Sequence, residues 1–181
     1  MFELYSKRLR LIPLNAKYLQ LLIEHENELA IELSLHKLEG IMDDELKQAL
    51  HYRRSKVLED EENYIWHTNW LIVCKEQNCA IGGIMLKGMP NERQEVVIGY
   101  YTFPSFQGRG YMTETIITMI NWLHHQPNVQ YIIADTEKDN FASHRVLEKA
   151  GATLLEIPIR FIHLRQKANK VPFVFYCSTI S

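Results

Sequence analysis

Residues 106–113 read FQGRGYMT, and these residue types at this spacing could bind an anion. Gly108 and Gly110 lack a Cβ, so a ligand can come close to their amides, and both can take positive φ. Beyond them Met112, Ile116, Met119, Ile120 and Leu123 recur at helical spacing, which predicts a helix starting just after the glycines. A helix start offers free N–H groups and the positive end of the macrodipole. Arg109 adds a charge that does not titrate. A diphosphate would fit this combination, and so would a plain strand-to-helix turn that needs glycine only for its geometry.

Two known phosphate patterns do not match. No G-x-x-x-x-G-K-[ST] run occurs, which excludes a Walker loop. A dinucleotide fingerprint is closer, with Asp135 about 25 residues after the glycines. Yet Thr113 stands at the third glycine position, and Pro104 to Gln107 separate the preceding strand from Gly108. That spacer is too long for the tight turn of that fold.

The elements that must hold the loop are legible around it. Glu95 to Phe103 is β-branched and aromatic and predicts a strand ended by Pro104. Val129 to Ala134 predicts another buried strand, and Asn140 offers an N-cap to a short helix ending near Gly151. Upstream, Arg8 to Leu11 alternates as a strand, 15–33 and 43–58 show helical spacing, and 71–74 with 80–86 form a hairpin. Segments 154–165 and 171–179 predict a closing hairpin around Lys167 to Lys170. The order β-α-α-β-β-β-α-β-α-β-β describes one mixed α/β domain over 1–181.

Two longer strings carry a resemblance. Ile98-Gly99-Tyr100-Tyr101-Thr102-Phe103-Pro104 followed by Phe106-Gln107-Gly108-Arg109-Gly110-Tyr111-Met112-Thr113-Glu114 resembles the acetyl-CoA-binding motif of the GNAT superfamily of N-acetyltransferases. The branch it is most similar to is that of the ribosomal-protein N-terminal acetyltransferases, the RimJ/RimL-like group. Asn140-Phe141-Ala142-Ser143-His144-Arg145-Val146-Leu147-Glu148-Lys149-Ala150-Gly151 resembles the second motif of that family at the expected distance. Two departures stand out. Met112 replaces the alanine or glycine of the signature, and Val97 occupies the place of a glutamate that usually precedes Ile-Gly-Tyr. The nearest acid is Glu95.

The resemblance implies a GNAT-like domain with a mixed, mostly antiparallel twisted sheet, a splayed central strand and flanking helices. It implies acetyl-CoA as co-substrate and transfer of its acetyl group to a primary amine by direct attack in a ternary complex. The acceptor would be a protein N-terminal α-amine or a small-molecule amine. Expected cofactor contacts are Tyr101, Thr102, Phe103, Gln107, Gly108, Arg109, Gly110, Tyr111, Met112, Thr113, Asn140, Ser143 and Arg145. Ser143 is the candidate proton donor to the leaving thiolate, and Glu95 is a candidate general base. Ser143 and Asn140 have a rival reading as helix-capping groups. The alternative to an enzyme is a catalytically weak acyl-CoA-binding sensor or interaction domain.

Composition sets the outer bounds. A chain of 181 residues with net charge −2 has no global basic field for nucleic acid. Its apolar runs are too short to span a membrane, so a cytoplasmic protein is expected. Cys74, Cys79 and Cys177 form no CxxC pair, and the eight histidines form no HExxH; neither a disulfide framework nor a metal is expected. Residues 21–62 hold 12 of the 22 acids against 5 bases, a local −7. That segment reads as solvated helix faces or as a surface attracting a cationic acceptor. Tyr64, Trp66 and Trp70 lie near it, with Trp70 expected in the core. A second copy of the chain is the other partner considered.

Overall fold

The computed structural model describes residues 2–38, 43–155 and 171–178. The chain runs β1 (Leu4–Tyr5), β2 (Leu9–Pro13), α1 (Ala16–Glu24), α2 (Glu26–Glu32), β3 (Lys37–Leu38), α3 (Asp44–Glu59), α4 (Tyr64–His67), β4 (Asn69–Cys74) and β5 (Cys79–Leu86). It continues with β6 (Glu95–Thr102), a 3-10 turn (Pro104–Phe106), α5 (Tyr111–Leu123), β7 (Tyr131–Glu137), α6 (Phe141–Lys149), β8 (Thr153–Leu155) and β9 (Phe173–Ser178).

The strands form one mixed sheet in the order β1-β2-β4-β5-β6-β7-β9-β8, with β3 pairing to β5. Pairing is antiparallel along β1-β2-β4-β5-β6, and β3–β5, β6–β7, β7–β9 and β8–β9 are parallel. β8 and β9 run side by side in the same direction, with Thr153 opposite Val174, while residues 156–165 of the expected closing hairpin lie outside the described residues. The turn expected at Lys167 to Lys170 lies outside the described residues. The helix expected over 15–33 is broken at His25, whose φ of −142° and ψ of 55° are not helical.

Each sheet face buries its own set of side chains. On one, α5 and α6 cover Ile72, Ile84, Ile98 and Ile132, to which α5 contributes Met112, Ile116, Met119 and Leu123. Trp66, Trp70 and Trp122 pack together on this side, with Trp66 and Trp122 ring centroids 5.2 Å apart. Trp70 is fully buried, as expected of a core residue. On the other face α1, α2 and α3 bring Leu19, Leu22, Leu29, Leu50 and Val57 onto Leu71, Val73 and Ala80. Burial of such a side chain is worth about 1.5–3 kcal/mol, so these two layers fix the strands on either side of β6.

The central feature is a divergence of two parallel neighbours. β6 and β7 are in register from Glu95 opposite Tyr131 to Ile98 opposite Ala134. Beyond that pair β6 continues along β5 to Thr102, and β7 continues along β9 to Glu137. Gly99 to Thr102 therefore turn one backbone edge towards a gap. Among the described residues no helix is long and apolar enough to cross a membrane.

Candidate active site

The gap between β6 and β7 is bridged at its mouth by two hydroxyls. Tyr100 on β6 and Ser143 in the first turn of α6 stand 2.7 Å apart, Oη to Oγ. Burial pushes the Tyr100 phenol above its usual range, partly offset by Ser143, so it stays protonated near neutral pH. The rival readings of Ser143 and Asn140 separate here. Asn140 caps α6, its Oδ1 accepting from the Ser143 amide at 3.0 Å, whereas the Ser143 hydroxyl turns to Tyr100.

Residues along β6 alternate faces, so Tyr101 points away from Tyr100. Its ring lies over Gly83, where an added Cβ would stand 2.7 Å from ring carbons and 2.5 Å from Asn69 Oδ1. Gly83 is thus a notch that lets Tyr101 cross β5 towards the buried Asn69. Burial drives the Tyr101 phenol strongly upward, and Asn69 draws it back only in part. Next to it, a Cβ on Gly82 would meet the Tyr101 carbonyl at 2.3 Å. This glycine sits beside a bulge, since Ile72 pairs with Gly82 and Val73 with Ala80. Phe103 is buried, with its ring 5.8 Å from that of Tyr101.

The glycine loop follows. Gln107 donates from Nε2 to the Thr102 carbonyl at 3.0 Å, tying the loop to the end of β6. Gly108 and Gly110 both adopt left-handed conformations, φ 73° and 75°. A Cβ at Gly108 would meet nothing within 4 Å, and one at Gly110 only Arg8 Nη2 at 3.7 Å. Glycine is needed there for backbone conformation rather than for space. The N-terminus of α5 differs from those of α1, α3 and α6, which Asn15, Asp43 and Asn140 cap with side chains. At α5 the N-cap is Gly110 and no side chain caps it. Among the described residues the amides of Gly108 through Thr113 have no protein acceptor. Successive free amides on a helix start make an anion cradle. Arg109 is exposed beside them, its guanidinium 5.7 Å from the Phe106 ring centroid. Met112 is buried and belongs to the core, so the bulkier residue of the signature points inward and leaves the loop clear.

Not every expected residue reaches the gap. Glu95 opens β6 where it still pairs with β7, and its carboxylate accepts from Asn91 Nδ2 at 2.8 Å. Four residues of extended chain, about 13 Å, separate it from Gly99. The structure therefore removes Glu95 from the splay, because a strand cannot fold back on itself. Arg145 lies exposed on α6. Of the acidic segment, Glu32 pairs with Lys17 and Glu59 with Lys56, both at 2.6 Å, and Asp43 caps α3. Those acids have structural partners, while Glu61 and Glu62 remain exposed. Among the described residues no group of three His, Cys, Asp or Glu side chains could hold a metal ion.

Five residues of the site and its support, Tyr100, Gly82, Gly83, Arg8 and Glu114, have roles that sequence reasoning missed. Tyr100 was quoted only as part of a motif; its position one residue from the start of the gap was the available signal. The Gly82-Gly83 pair within an apolar strand signals close backbone approach. Arg8 and Glu114, which meet at 2.6 Å, are 106 residues apart and left no local sign.

Comparison with known proteins bears on this geometry. A model described as an acetyltransferase (GNAT) domain matches residues 8–153. A Bacillus subtilis protein named uncharacterized N-acetyltransferase YjdG is 29% identical over 154 residues, covering 85% of this chain and 91% of its own. Among solved structures, RimL, the ribosomal L7/L12 α-N-protein acetyltransferase in complex with coenzyme A, is similar with a TM-score of 0.58. It is 18% identical, with 84% of each chain covered. The ribosomal-protein-S5-alanine acetyltransferase of Vibrio fischeri gives a TM-score of 0.60 at 15% identity, again with 84% of each chain covered. The microcin C7 self-immunity acetyltransferase MccE, solved with acetyl-CoA and AMP, gives 0.57 at 17% identity, covering 82% of this chain and 80% of its own.

Proposed function

This chain belongs to the GNAT acetyltransferase family, whose reaction class is acetyl transfer, and we propose that it moves the acetyl group of acetyl-CoA to a primary amine by direct attack. The observation that carries this reading is the gap at Gly99–Thr102 leading to an uncapped helix start behind two left-handed glycines. A thioester arm laid in the gap would bond the free edge of β6, and its diphosphate would sit on the amides of Gly108 to Thr113. Thr102, Phe103, Gln107, Tyr111 and Met112 hold that path in shape, and Arg109 and Arg145 supply positive charge at its outer end. Solved relatives with CoA or acetyl-CoA bound support this choice of cofactor.

Held so, the thioester carbonyl faces the amine, and proximity supplies much of the rate. The amine nitrogen bonds to the carbonyl carbon, the C–S bond breaks, and the proton the amine gives up is the one the thiolate needs. A free backbone N–H of β6 stabilises the oxyanion. With the more acidic Tyr100 phenol as donor to Ser143 Oγ, the Ser143 hydroxyl can pass its proton to the developing thiolate and regain one from the amine. No carboxylate occupies the position of Val97. An α-amine, with a pKa near ~8 against ~10.4 for lysine, costs roughly 3 kcal/mol less to deprotonate at pH 7. That difference favours a protein N-terminus, the acceptor class in the name of RimL, the α-N-protein acetyltransferase, over a lysine side chain. The missing acid also supports a second reading, an acyl-CoA-binding domain with weak turnover.

The experiment has two stages. Thermal midpoints are measured with about 1 mM acetyl-CoA and with NADH; a ligand at ~100-fold its Kd adds roughly 2.7 kcal/mol and several degrees. Acetyl-CoA alone is expected to raise the midpoint, and no rise sinks the proposal. Free-thiol release with peptides bearing a free or a blocked N-terminus then separates an α-amine transferase from the weak binder.

A further inference from the structure

An arginine remote in sequence reaches the glycine loop from behind. Arg8 lies between β1 and β2, and its Nη1 donates to the Arg109 carbonyl at 3.1 Å. Its Nε donates to Glu114 Oε2 at 2.6 Å, and its guanidinium lies 4.5 Å from the Tyr111 ring centroid. Glu114 sits in the first turn of α5. It also accepts from the Arg8 amide at 2.8 Å and the Ser6 hydroxyl at 2.7 Å. The turn before β2 is thus fastened to the helix at several points, and one fork of Arg8 is left to hold the loop.

The direction of that bond matters. The C=O and N–H of a trans peptide point opposite ways, and the described chain has no cis peptide. Fixing the Arg109 carbonyl on Arg8 therefore aims the Gly110 N–H away from Arg8, to the open side of the loop. A guanidinium also polarises the peptide it binds, making that N–H a better donor. Charge gives a second reason. A carboxylate in the first turn suits the helix dipole but opposes an anion bound at the same end. Arg8 neutralises Glu114 at contact distance.

We propose that Arg8, held by Glu114, is a positioning residue for the acetyl-CoA diphosphate: it presents the Gly110 amide to the phosphate without touching it. This rests on the diphosphate reading of the loop given above. The role needs a planar fork that donates in two directions at once, which lysine does not have.

The test compares wild type with R8K and R8M, using CoA and S-acetylpantetheine, which lacks the diphosphate and nucleotide. Binding of CoA is expected to weaken about tenfold in both variants, the worth of one charge-assisted bond, while binding of S-acetylpantetheine stays the same. In wild type the Gly110 amide proton should move downfield when CoA is added, and that displacement should shrink in R8M. Unchanged CoA affinity in the folded variants overturns the proposal, as does an equal loss for both ligands. If wild type itself binds no CoA, the diphosphate reading fails instead. R8K keeps the charge and the stem, so it remains informative where R8M does not fold.

Discussion

Replacing Tyr100 by phenylalanine removes a single oxygen, the one 2.7 Å from Ser143 Oγ. The ring stays, so packing on β6 is preserved and the loss is one partly buried hydrogen bond, worth about 1 kcal/mol. For a domain of this size that is a fall of roughly 2–4 °C in thermal midpoint. Catalysis should respond differently. With Tyr100 present as donor, the Ser143 hydroxyl proton is directed to the thiolate; without it, the hydroxyl rotates freely and is correctly aimed only part of the time. We expect about a tenfold loss of kcat in Y100F. S143A removes the donor itself and should cost about a hundredfold, in the range for a lost donor to developing charge. The double variant should be no slower than S143A, because Tyr100 has nothing left to orient. Thiol release at saturating acetyl-CoA, with acceptor at several times its KM, reads all four enzymes. Effects that multiply in the double variant would refute the coupling. So would a Y100F enzyme with full kcat and the expected drop in stability, since the bond would then be structural only.

Other consequences follow from the same geometry. Hydrogen bonds from Ser6 and Arg8 outweigh burial, which pushes the other way, and hold the Glu114 carboxyl below its ordinary 4.5. A depressed acid contributes stability that is present above 4.5 and lost as pH falls through the folded value, so E114Q should flatten the acid limb of a denaturation-midpoint profile; an unchanged limb counts against the pairing. Gly82→Ala should be far more damaging than Gly108→Ala. The first puts a Cβ 2.3 Å from the Tyr101 carbonyl, and the second meets open space and costs only about 1–2 kcal/mol for a left-handed residue. Comparable midpoints for the two would contradict the close approach of β5 and β6. Met112→Ala should lower stability by about 2–5 kcal/mol through a cavity while CoA affinity, followed by titration, stays within about threefold; a larger loss would place Met112 at the cofactor.

How much of this was legible depended on whether a feature is local. The glycine loop could be read because its conformation and its helix are encoded within a few residues; helical spacing put Met112 on the buried face, although the resemblance also offered it as a cofactor contact. The splay could not be read from periodicity: Gly99 to Thr102 look like any strand, and only the family resemblance suggested a gap there. What opens it is where β7 finds its next partner. β7 stays on β9 to Glu137 while β6 stays on β5 to Thr102, so each strand is pulled to its own neighbour. The parallel pairing of β9 with both β7 and β8 was no more legible, because pairing direction is a property of the assembled sheet.

Glu95 shows why nearness in sequence is a poor guide to the site. Residues 95 and 97 share a face of the strand, which made Glu95 the natural replacement for an acid missing at Val97. An extended chain, however, advances about 3.3 Å per residue, so a shift of two residues moves a carboxylate some 6–7 Å, more than a hydrogen bond can span. A strand cannot recover a catalytic acid by sliding it to the next position on the same face. An acid displaced this far along the strand gives the amine less help, and an acceptor that loses its proton readily is the one such a site can best use.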